Sequence, residues 1–109
     1  MQFKAPKNDS TLSWTQHVTR KMMYYGISEG LIRRVIKSPK RTEEGIAPGT
    51  IAVMQPTGYA RKKEVWVMYQ QAGKKKKVIT AWRYPGVSPI RKAIPIPDDI
   101  LAELSPEFL

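Results

Sequence analysis

Apolar positions follow two different periods along this chain, and the change comes near residue 40. Trp14, Val18, Met22 and Tyr25 recur at helical spacing, which predicts an amphipathic helix with these four as its buried stripe. Ser13-Trp14-Thr15-Gln16 has the Ser-x-x-Gln form of a capping box at its start, and Gly26 suits the left-handed residue that ends it. A second helix follows at once. Ser28 caps it, Ile27 and Ile32 stand in staple positions, and Leu31, Ile32, Val35 and Ile36 make its apolar face. Ser38-Pro39 stops it, because the residue before a proline avoids helical backbone.

Beyond Pro39 the period becomes two. Thr50–Gln55 is rich in β-formers and bounded by Pro48-Gly49 and Pro56-Thr57-Gly58. Lys63–Gln71 alternates Val65, Val67 and Tyr69 with Trp66, Met68 and Gln70, as a central strand covered on both faces would. Ala72-Gly73-Lys74 makes a tight connection to a partner strand, Lys75–Tyr84, and Arg41–Ile46 is a weaker edge-strand candidate. The expected architecture is α+β: two N-terminal helices on an antiparallel sheet of three or four strands, with a Pro-rich C-terminal tail. Residues 1–12 read as a polar arm, 13–86 as the domain and 87–109 as the tail. Within that tail Asp98–Leu104 suits one short helix.

Composition narrows the function classes. The 109 residues are one domain's worth, and 41% hydrophobic content supports one modest core. The absence of cysteine excludes disulfides and thiolate metal sites and makes a reducing cytoplasm the expected setting. A single histidine argues against a zinc site, so neither metal nor cofactor is expected. No apolar run reaches the ~18 residues of a membrane span, and the N-terminus is too short and polar for a secretory signal.

Charge changes the picture more. Nineteen Lys and Arg against nine Asp and Glu give +10, and the distribution is uneven. Residues 1–92 hold every base and five acids, a net +14, whereas residues 98–109 hold four acids and no base. So basic a body attracts polyanions, of which nucleic acid is the commonest.

Three groups of residues could act on such a ligand. On the first predicted helix His17, Arg20, Lys21 and Tyr24 fall together on the flank of the apolar stripe. Cleavage of RNA by 2′-hydroxyl attack needs a base, an acid and cations around the phosphorus, and neighbouring cations should hold this imidazole neutral. At the end of the last strand Arg83 could clamp a phosphate, with Tyr84 to donate or stack. Strict alternation there would put Val78, Thr80 and Trp82 on one face and Ile79, Ala81 and Arg83 on the other. The third group is the basic runs Arg61-Lys62-Lys63 and Lys74–Lys77, with Lys75 and Lys77 as further phosphate contacts, at opposite ends of one strand. Glycine-rich phosphate loops, paired carboxylates in the body and Gly-x-Ser-x-Gly are absent.

The segment from Trp14 to Ile32, with His17, Arg20, Met22 and Gly26-Ile27-Ser28, followed by Ser38-Pro39, resembles a bacterial domain-of-unknown-function family. Its members open with a His-x-x-x-Arg-Met-like helix, a Gly-Ile-Ser turn and a second helix ending at an x-Pro pair. The strand Val78-Ile79-Thr80-Ala81-Trp82-Arg83 is similar to that of the BrnT toxins. Both groups look like members of the barnase–EndoU–colicin–RelE superfamily of metal-independent ribonucleases. The resemblance covers residues 13–85 and implies an α-α-β-β-β-β fold. It also implies an RNA-binding, toxin-type endoribonuclease paired with an antitoxin-like protein. His17 matches the helix histidine and Arg83 the terminal-strand arginine, and Arg20 matches more loosely because Lys21 intervenes before Met22. On that reading His17 is general base or acid, Arg20 and Arg83 hold phosphate, and Tyr84 assists. The residues themselves leave two alternatives open, a non-catalytic nucleic-acid-binding module and an adaptor protein.

Ile94, Ile96, Ile100, Leu101, Leu104, Phe108 and Leu109 are too many apolar groups for a plain solubilising tail. The tail should therefore fold back on the domain, guided by opposite charge, and partly shield its basic surface. Docking onto a second copy is the competing arrangement.

Overall fold

The computed structural model describes residues 3–46, 48–58, 60–90 and 93–104. Among them the order is β1 (Leu12–Trp14), α1 (Gln16–Tyr25), α2 (Glu29–Lys37), β2 (Arg41–Glu44), β3 (Thr50–Thr57), β4 (Lys63–Ala72), β5 (Lys75–Tyr84) and α3 (Asp98–Glu103). The strands form one sheet in the order β1-β5-β4-β3-β2. β2 to β5 are an antiparallel meander, and β1 pairs in parallel with β5. The fold is α+β as expected, with a five-stranded mixed sheet in place of three or four antiparallel strands.

The extra strand comes from the expected polar arm and helix start. Asp9 fixes it: its carboxylate accepts from the backbone of Thr11 and Leu12, both at 2.8 Å, while Asn8 accepts from Trp14 N at 2.9 Å. Trp14 is thus a strand residue paired with Val78 and no part of the helical stripe. The Ser13 capping box does not form either, because Ser13 is in β1 and Thr15 caps α1, accepting from Val18 N at 3.0 Å. The other helix signals hold. Gly26 ends α1 in the left-handed region at φ 66°, where a side chain would be strained, and Ser28 caps α2 by accepting from Leu31 N at 3.1 Å. The edge strand β2 is shorter than the expected Arg41–Ile46.

Both faces of the sheet are covered. On one, Val53, Val65, Val67, Val78 and Ala81 pack with Val18, Met22, Ile27, Ile32 and Val35 from the helices and the turn between them. On the other, Ala52, Met54, Trp66, Met68, Ile79 and Trp82 pack with Ile100 and Leu104, and with the half-buried Ile94 and Ile96. The tail therefore folds back as expected; Phe108 and Leu109 lie outside the described residues. Face assignment in β5 departs from strict alternation. Tyr69 pairs with Val78 and Met68 with Thr80, so Ile79 is the extra residue of a β-bulge. Val78 and Ala81 then share the helix-covered face, and Ile79 and Trp82 share the other.

Beneath the tail lies one buried polar network. Glu64, 2% exposed, accepts from Trp66 Nε1 at 2.9 Å, Ser88 N at 3.1 Å and Ser88 Oγ at 2.6 Å. Arg41 donates to Ser88 Oγ at 2.7 Å and places its guanidinium 5.2 Å from the Trp66 ring. These bonds anchor the start of the tail to the sheet.

Candidate nucleic-acid interface

α1 takes over where β1 leaves the edge of β5. Thr15 N donates to Val78 O at 3.2 Å and Thr15 Oγ1 to Ile79 O at 2.8 Å, which starts the helix alongside the second half of β5. One stripe of α1, Val18 and Met22, enters the core under the helices. The neighbouring stripe, His17, Lys21 and Tyr25, meets α3. Three residues at i, i+4 and i+8 there face Asp99 and Glu103, themselves four apart.

Lys21 is only 5% exposed and sits between both carboxylates, 2.9 Å from Asp99 Oδ2 and in contact with Glu103 Oε2. It does not lie on an open flank, as its place in the helical pattern suggested. Burial works against the Lys21 cation, but hydrogen bonds to Glu103 and Asp99 outweigh it and raise the pKa. Burial would likewise raise the Asp99 carboxyl, yet Lys21 and Tyr25 hold it below its usual value. Tyr25 donates its hydroxyl to Asp99 Oδ1 at 2.8 Å, and burial and that carboxylate push the phenol up.

His17 is half-buried in the same seam. Its Nε2 is 2.8 Å from Thr80 Oγ1, and its Nδ1 lies 3.8 Å from Glu103 Oε2, buried without a hydrogen-bond partner. The imidazole pKa is lowered, which favours the neutral ring, chiefly by a cause other than the neighbouring cations. Burial dominates, Glu103 opposes it, and Lys21 and Arg20 add smaller downward pushes.

The other sequence-derived candidates separate. Arg20 is exposed on α1 and Tyr24 is 71% exposed beside Lys21, whose Nζ is 5.3 Å from its ring centroid. Arg83 points inward: Nε donates to Tyr25 O at 2.7 Å and Nη2 to Gly26 O at 2.9 Å. A guanidinium at the helix C-terminus satisfies carbonyls that lack helical partners and faces the negative end of the dipole. That accounts for Arg83 without a phosphate. Tyr84 is half-buried against the tail-covered face. Lys75 is exposed and Lys77 half-buried in the hairpin, far from Arg61-Lys62-Lys63 along the ten-residue β4.

Arg61, Lys62 and Lys63 do gain neighbours that sequence reading overlooked. Lys63 pairs with Thr57, so their turn stands at one end of the sheet. At that end Gln55 donates to the carbonyls of Arg34 and Ser38 at 3.3 and 2.6 Å, and Lys40 N donates to Met54 O at 2.8 Å. The C-terminus of α2 therefore delivers Arg34, Lys37 and Lys40 to the same end. All six bases are exposed. The acid closest in register, Glu64, is withdrawn into its buried network.

Sequence reading also missed Thr80, Asp99 and Glu103. The bulge at Ile79 hid the first, while the i, i+4 spacing of the two acids in a tail helix was a visible signal. Among the described residues no three His, Asp or Glu side chains converge as a metal-binding group, and no helix is long and apolar enough to cross a membrane. Compared with known proteins, the chain matches no family model, no curated protein and no solved structure.

Proposed function

We propose that this chain binds RNA through the phosphate backbone, at the basic end of its sheet. The observation that carries this reading is the convergence of Arg34, Lys37 and Lys40 with Arg61, Lys62 and Lys63 at an end whose acid is buried. Backbone phosphates are the ligand such a cluster suits, because exposed cations release counterions without reading sequence. The resemblance of residues 13–85 to the BrnT and RelE-like ribonucleases supports RNA over DNA.

Lys37→Gln/Arg61→Gln/Lys62→Gln tests the placement against Lys74→Gln/Lys75→Gln/Lys76→Gln, an equal change in charge at the hairpin. In fluorescence anisotropy with a single-stranded RNA, the first triple should weaken binding far more and flatten its salt dependence by about 2 units of slope. Equal losses in the two triples would place the interface elsewhere. Tighter binding to duplex DNA of the same length would move the reading to DNA.

A second reading, metal-independent cleavage at His17, is favoured by one observation: an imidazole fixed with its Nε2 2.8 Å from the Thr80 hydroxyl. His17→Ala should then abolish cleavage in EDTA while RNA binding persists. If the wild type leaves RNA uncut on long incubation, the binding reading stands alone.

A further inference from the structure

The seam between α1 and α3 has the makings of a binding site that is already filled. Among the described residues Lys21 is one of the most buried charges, and a buried lysine ammonium needs anions to pair with it. Those anions come from a helix of six residues without a side-chain cap at its start, preceded by Pro95 and Pro97. A helix that short does not persist alone in water, so α3 exists because it is docked. Asp99 and Glu103, one helical turn apart, bring their carboxylates to the same Lys21 ammonium. The donors they meet are the Lys21 ammonium and the Tyr25 hydroxyl, with His17 alongside. His17 Nδ1 is buried without a partner 3.8 Å from Glu103, so the carboxylates do not satisfy every polar group in the seat. Exposed Arg20 and Tyr24 continue the same helix outward, a cation and a stacking surface at the rim.

We propose that the seat formed by His17, Lys21 and Tyr25 is a second RNA-backbone site, taking a phosphate, and that Asp99 and Glu103 of α3 occupy it until RNA displaces them. This rests on the RNA-binding reading above and adds to it a ligand for the seam and a role for the acidic tail. Displacement has a further consequence. It also uncovers the part of the second sheet face that Ile100 and Leu104 cover.

Hydrogen exchange on the full-length protein, with and without saturating poly(U) oligonucleotide, tests the displacement. The amides of Ile100, Leu101 and Leu104, which bond to Pro97 O and Ile100 O, should exchange about tenfold faster in the complex. Unchanged or slower exchange at saturation overturns the proposal while leaving RNA binding at the basic end intact. Asp99→Asn/Glu103→Gln gives the converse. With α3 undocked at most a tenth of the time in the wild type, this variant binds RNA at least about tenfold tighter, and no gain in affinity overturns the proposal. Adding Lys21→Gln should remove the gain. Glu44→Gln/Asp98→Asn, which changes net charge equally at exposed positions, should show little of it. Equal gains in the two double variants would reduce the effect to overall charge and overturn the proposal. Absence of RNA binding in every variant and the wild type sinks both readings.

Discussion

The two faces of the sheet are packed under covers of different kinds. One lies under α1 and α2, helices with side-chain caps, a regular apolar stripe and a glycine stop. The other lies under Ile94, Ile96, Ile100 and Leu104, from a proline-broken segment whose one helix has six residues. The first cover has side-chain caps and longer helices, whereas the second, shorter and uncapped, depends more on what it touches. Opening the second face should therefore need far less free energy than opening the first, and such low-stability regions are where ligand-coupled motion is found.

The comparison can be broken by truncating each cover. Ile32→Ala, on the fully buried side of α2, should cost about 2–5 kcal/mol of global stability in urea denaturation. Ile100→Ala, equally buried on α3, should cost less globally and instead accelerate exchange of the α3 amides. Equal global losses would show that the two covers fold as one unit.

A smaller effect tests how the tail is anchored. Glu64→Ala strands the Trp66 indole N–H and the Ser88 donors in a buried place, for a loss of about 1–3 kcal/mol on thermal or urea unfolding. No loss would mean that water takes over those bonds and that the network does not fasten the tail.

Arg83→Ala separates two roles for one side chain. As a cap on α1 it should cost about 1 kcal/mol of stability while changing RNA affinity no more than an ordinary surface arginine does. A severe loss of affinity with unchanged stability would restore the phosphate clamp.

The smallest effect is on acidity, and its sign follows from the groups involved. His17 has a lowered folded pKa, so the stability it contributes is full above its unfolded value of 6.5 and declines as pH falls below it. Asp99 is also lowered, so its contribution is present above 3.8 and is lost as pH falls through the folded value. The α3 amides should therefore lose protection in two steps on acidification. His17→Gln should flatten the upper step alone.

Legibility in the sequence tracks the same division. α2 was readable because Ser28, Ile27, Ile32 and Pro39 all speak to the same helix, and the β4–β5 hairpin because Gly73, at φ 63°, allows a tight turn between two β-rich runs. β1 was missed because three residues carry no period, and their pairing with β5 depends on Asp9 and Asn8 folding back onto them. The bulge at Ile79 was invisible because either face of β5 offered a plausible alternation. Of the four residues grouped on one flank of α1, His17 and Lys21 share the seam with α3, while Arg20 and Tyr24 stand exposed. What covers that flank was not readable, because it depends on contacts more than seventy residues away. The basic end was hidden likewise: Arg34 and Lys62 are brought to one end of the sheet by the Gln55 side chain and the register of β3 with β4.

The account's central claim is that several exposed cations at one end of the sheet hold RNA by its phosphates, and the salt dependence of wild-type affinity tests it most directly. Six contacts to a single strand should give a plot of log K against log salt with a slope of about −4. A slope near zero, with affinity unchanged between low and physiological salt, would contradict it.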